Sequence, residues 1–190
     1  MKKINFIFLI LVTAITISSC NDNEVDAPSF NLSKENIIGN YEITALDLNT
    51  EVSNEISSGI FATFSTARFV GDIFQVTLVL NTDNTYTLSG QYSVKTTISI
   101  VGAPNPTIPN SIVNFDDAGT YSIDATVNTI EFVSQNINFL GATALDPIYL
   151  DTKFIVSDFN EESFTISQES ENIVDKIKTE TESTVRFQRK

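Results

Sequence analysis

Twenty-four carboxylates, five tyrosines, a single cysteine and no histidine make up the reactive inventory of this 190-residue chain. Without an imidazole there is no Ser-His or Cys-His nucleophilic pair, no common zinc site and no usual general base near neutral pH. Two carboxylates could still cleave a glycosidic bond, with an apolar pocket raising the pKa of one. The candidates are the adjacent pairs Asp116-Asp117 and Glu161-Glu162. Adjacent side chains on a strand face opposite ways, however, and both pairs sit at expected turns. Asn81-x-Asp83-Asn84 and Asp158-x-Asn160-Glu161-Glu162 have the spacing of hard-cation loops. Neither completes the alternating ligand loop with its glycine and terminal bidentate glutamate, and Asx-rich turns explain both without metal. The expectation is no catalytic site, no metal and no cofactor.

The lone thiol, Cys20, follows Lys2 and Lys3 and an apolar run over residues 4–17. Ile17-Ser18-Ser19-Cys20 resembles the lipobox of bacterial lipoproteins, in which small residues precede the cysteine that receives lipid. An ordinary cleaved signal with a cysteine nearby is the plain alternative. The run is too short for the ~20 residues that span a bilayer. Residues 1–19 are therefore expected to be a signal peptide, and Cys20 the lipidation site. Residues 20–35, polar and acidic around Pro28, are expected to form a tether reaching up to ~50 Å if fully extended. This places the chain at the outer membrane, lipid-anchored, on its periplasmic face or at the cell surface. Once Lys2 and Lys3 leave with the signal, 9 basic residues stand against 24 acidic ones, a formal charge of −15. Such a balance excludes nucleic acid as a partner and makes the acyl chains the membrane attachment.

Those residues must be carried by strands. Tyr86, Leu88, Gly90, Tyr92 and Val94 alternate with polar residues, the period of a strand with one buried face. Residues 74–80 are apolar and β-branched, and Asn81-Thr82-Asp83-Asn84 supplies the turn of a hairpin. Further strands are expected at 41–46, 96–101, 111–115, 119–123, 129–133, 149–157, 163–168 and 184–188. Short strands at this spacing argue for an antiparallel sandwich or barrel. Two stretches break the rhythm. Residues 52–71, with Ile56, Ile60, Phe61, Phe64 and Phe69, are expected to form a short helix against a barrel mouth. The charged residues 169–183 form either a long hairpin tip or a weak helix. The loop with Pro104, Pro106 and Pro109 cannot be a central strand.

From residue 36 onward the chain resembles the lipocalin-like domains of bacterial lipoproteins. Ile37-Ile38-Gly39-Asn40-Tyr41 is similar to the opening motif, with Tyr41 where tryptophan is usual. The hairpin from Leu80 to Tyr86, the mid-domain Gly119-Thr120-Tyr121 and the closing Val185-Arg186-Phe187 match further short motifs of that family. The resemblance implies an antiparallel, up-and-down lipocalin-like β-barrel over residues 36–190. It also implies non-catalytic binding of a small apolar or amphipathic ligand. The chain is expected to be a monomer.

The expected interior of such a barrel is Tyr41, Tyr86, Tyr92, Tyr121 and Phe132, with Arg68 at the mouth to hold an acidic group. A surface arginine with its stem on apolar neighbours is the plain reading of Arg68. Large inward residues favour a mostly filled barrel, whereas Gly90 and Ala45 would leave room. The alternative function is an accessory subunit that binds an envelope protein or glycan through the barrel loops, with Ile60, Phe61 and Phe64 as an exposed patch.

Overall fold

Alternation at period two, carried by β-branched and aromatic residues, commits most of this chain to strands, and antiparallel neighbours in sequence supply their partners. The computed structural model describes residues 30–134 and 153–190. Among them, one turn of helix, α1 (Lys34–Ile37), precedes eight strands: β1 (Gly39–Ser57), β2 (Ile60–Leu80), β3 (Thr85–Ile100), β4 (Ser111–Asp124), β5 (Thr129–Ser134), β6 (Lys153–Ser157), β7 (Ser163–Val174) and β8 (Ile177–Arg189). Strand order follows the chain, every pairing is antiparallel, and β1 pairs with β8 to close the ring. The expected all-β, up-and-down barrel is the observed fold. The expected signal peptide and Cys20 lie outside the described residues, as do the first four residues of the expected strand at 149–157.

The hairpin between β2 and β3 turns where its Asx residues require it. Asn84 adopts a left-handed φ of 67°, which asparagine tolerates. Asp83 Oδ1 accepts from Thr85 Oγ1 at 2.6 Å and from Thr85 N at 3.0 Å. These bonds hold the Asp83 carboxyl below its ordinary pKa.

Residues 52–71 are not helical: they end β1, turn at Ser58-Gly59 and begin β2. Gly59 sits at φ 73°, the left-handed value that a tight turn needs. Val52, Ile56, Phe61, Thr63, Phe64, Thr66 and Phe69 are β-branched or aromatic, and β8 and β3 offer ladders on either side. Pairing decides for strand. Residues 169–183 are a hairpin, the first of the two alternatives. The strands expected at 85–94 and 96–101 are a single strand, β3, and those at 111–115 and 119–123 are both parts of β4. Asp116-Asp117 therefore lies within a strand rather than at a turn. Continuous pairing of β4 with β3 carries the ladder through it.

The lower end, where β1 begins, is filled. Tyr41 meets Phe164 edge-on at 4.9 Å, Phe164 stacks on Phe187 at 4.9 Å, and Tyr86 meets Phe132 edge-on at 5.1 Å. Ile37 of α1 is fully buried beneath them. The helix is capped by Ser33 Oγ, which accepts from Asn36 N at 3.2 Å. Its far end is bound by Arg189, which donates to Ile38 O (2.8 Å), Asn36 O (2.6 Å) and Tyr41 Oη (2.6 Å). Tyr41 Oη in turn donates to Ile37 O at 2.7 Å.

Candidate functional site

At the upper end the strands are unequal, and that inequality builds the site. The β3–β4 ladder ends at Val94–Ser111, and β6 reaches only Ser167 of β7. Among the described residues, β3, β2, β1, β8 and β7 continue beyond these points, in that lateral order, as an overhanging sheet. The register of these ladders sets three rows on its inner face. Nearest the core, Gln168, Ser183, Leu48, Phe69 and Thr96 lie side by side. Ser170, Thr181, Thr50, Ala67 and Ile98 come next, followed by Asn172, Thr179, Val52, Ser65 and Ile100. The face is divided laterally: β7 and β8 contribute hydroxyls and amides, whereas the apolar side chains come from β1, β2 and β3. Thr50 Oγ1 and Thr181 Oγ1 meet at 3.5 Å across the seam. Gln168 Oε1 is a buried acceptor without a partner.

The outer face of the same sheet is acidic. Glu169 lies opposite Glu182 and Glu171 opposite Glu180, like-charge pairs that oppose strand pairing. Lys178 offsets one pair, reaching Glu180 at 2.7 Å and Glu171 at 3.0 Å, and these glutamates raise its pKa. Its ammonium also sits 5.9 Å from the centroid of the Phe61 ring.

The candidate interior residues Tyr41, Tyr86, Tyr92, Tyr121 and Phe132 all face inward and are buried in one hydrophobic core. They are packing residues of the filled region. Tyr121 Oη donates to Asn81 O at 2.8 Å, tying β4 to the hairpin turn. Arg68 is on the outer face, exposed, and gripped by Asp47 at 2.5 and 3.1 Å. It shares a shallow depression with Asp47, Asn49, Glu182 and Thr184, so its charge is already answered by carboxylates.

Neither inward position expected to leave room is used in that way. Gly90 is used for close approach: a Cβ there would overlap the carbonyl oxygen of Gln75 on β2. Ala45 points outward, because a bulge at Thr44 shifts the alternation of β1.

The carboxylate candidates separate. Asp116 is exposed and Asp117 is buried inside the barrel, the two faces of one strand. Asp117 accepts from Tyr86 Oη at 2.7 Å and from Ser134 Oγ at 2.6 Å. Glu161 and Glu162 are exposed in the turn before β7. There Asn160 Oδ1 accepts from the backbone N–H of Glu162 and of Ser163, each at 2.9 Å, as an Asx turn does. Among the described residues, no group of three or more acidic side chains could hold a metal ion.

Sequence reasoning missed the inner rows. The signal was present in β1, where Leu48, Thr50 and Val52 continue the alternation beyond the expected end of the first strand at residue 46.

The described residues form a closed, eight-stranded antiparallel barrel with an overhanging sheet. The chain matches no known family, no curated protein and no solved structure.

Proposed function

We propose that this is a non-catalytic binding protein, held at the outer membrane by lipid on Cys20, which takes a small amphipathic molecule at its upper end. The observation that carries this reading is the lateral division of the inner face, whose apolar side chains all come from β1–β3, whereas β7–β8 bear only hydroxyls and amides. A ligand with an apolar body and a hydrogen-bonding edge matches both halves. The resemblance to lipocalin-like lipoproteins supports the same reading, and the filled lower barrel directs it to the upper end.

Native mass spectrometry of the chain, extracted from its own membranes, is the test. A co-purifying neutral mass should be lost in Val52→Glu and in Ile98→Glu. A ligand-free mass that persists after exposure to envelope lipid extract would overturn the reading. Cys20→Ala should abolish acylation and membrane fractionation; continued membrane retention would refute the anchor.

A second reading, an accessory subunit that binds an envelope protein or glycan, is favoured by apolar side chains left in water at the upper tips. Ile56 and Ile60 are 69% and 56% exposed, and Val101 and Ile177 are 74% and 43% exposed.

A further inference from the structure

We propose that the free edge of β3, residues 95–100, is a strand-addition site for an extended segment of a partner protein. The overhanging sheet has two edges, and they are built differently. On β7 the edge reads Glu169-Ser170-Glu171-Asn172, with charge at alternate positions. Edge strands carry such charges to repel another strand. On β3 the edge reads Lys95-Thr96-Thr97-Ile98-Ser99-Ile100, running into Val101. After Lys95 it has no charge, no proline, no glycine and no bulge, and all but Ser99 are β-branched. These are the properties of a segment disposed to pair.

Among the described residues, no strand pairs with this edge on the side away from β2. Past Ile100 the chain turns through Gly102 at φ 77° and Ala103, whose N–H bonds Ile100 O at 3.2 Å. It returns through Pro104, Pro106 and Pro109 to start β4 at Ser111, opposite Val94. Residues 95–100 therefore pair with β2 alone among the described residues.

An unpaired row of N–H and C=O groups is recognised by the same groups on another extended backbone, so the occupant is polypeptide. The register sets its side chains. Thr96, Ile98 and Ile100 lie on the inner face, and Lys95, Thr97 and Ser99 on the outer. The added strand would set apolar residues beside Ile98 and Ile100, and an acidic residue beside Lys95 on the outer face. A second copy of this chain is disfavoured, because each mature copy carries a formal charge of −15. The site shares Thr96, Ile98 and Ile100 with the inner face, but its backbone pairing does not rest on the ligand reading.

The test places a photo-reactive amino acid at exposed Ser99 in the full lipidated chain, in its own host, with matched positions at Ile60 and Glu171. The expected result is one partner protein cross-linked from Ser99 and not from Glu171. A synthetic peptide of the cross-linked segment should then protect residues 95–100 from amide hydrogen exchange. N-methylation of its alternate amides should weaken binding about tenfold. Lys95→Glu should weaken an acidic peptide about two- to fivefold. Cross-linking to a second copy of this chain, cross-linking from Ile60 or Glu171 without Ser99, binding indifferent to N-methylation, or no cross-linked partner would each overturn the proposal.

Discussion

Replacing Tyr41 with phenylalanine removes one oxygen from the base of the barrel, and the structure assigns that oxygen two bonds. It donates to Ile37 O at 2.7 Å and accepts from Arg189 Nη2 at 2.6 Å, within a buried junction between α1, β1 and β8. In Tyr41→Phe the Ile37 carbonyl loses this donor, and Arg189 Nη2 retains only Asn36 O among its protein acceptors. Arg189 Nε is already without a partner there, so the junction has little slack. A buried group left with its desolvation unanswered costs about 1–3 kcal/mol. Truncation to alanine also removes a ring that is 1% exposed and packed edge-on against Phe164, bringing the total to about 3–5 kcal/mol. Urea unfolding of the three chains, with the m-value checked for constancy, measures both steps. A loss below about 1 kcal/mol for Tyr41→Ala would refute the aromatic plug. Equal losses for Phe and Ala would assign the effect to the hydroxyl junction alone.

Burial raises the phenol pKa of both Tyr41, where Arg189 opposes the shift, and Tyr121, where Asp83 adds to it. The folded state thus holds these protons more tightly than the unfolded chain. The associated stability is complete below the unfolded value of 10.0 and is lost as pH rises through the higher folded values. The urea midpoint should fall across this range, and less so in Tyr121→Phe; a flat profile would contradict it. Gly90, at φ 129° against the Gln75 carbonyl, should cost about 1–3 kcal/mol when changed to alanine, with loss of order at the β2–β3 bulge. Gly59→Ala, where a Cβ meets nothing within 4 Å, should cost less in the same urea unfolding; the reverse order would mean that the close approach at Gly90 is misread.

Much of the fold was legible in the sequence because it rests on local alternation. The inward set Tyr86, Leu88, Tyr92 and Val94 follows from period two, and the β2–β3 turn from the Asx run that ends at Asn84. Residues 52–71 were misread because a helical stripe and a pair of twisted, bulged strands can share the same apolar spacing. Only the ladders to β8 and β3 decide between them. The candidate site was less legible than the core. The five inward aromatics were identified as a group, but whether they line a space or fill one depends on how eight strands close.

The sequence by itself determined an all-β chain, its principal hairpin and its inward aromatics. These follow from residue type and short-range period. Tertiary structure decided the closure of β1 on β8, the outward turn of Ala45 at its bulge and the burial of Asp117 within a strand. It also set the inner rows that join Gln168 and Ser183 to Leu48 and Phe69. Each of these depends on register between strands distant in sequence. A shift of one residue exchanges the two faces of a strand, and no local pattern records which register long-range pairing selects.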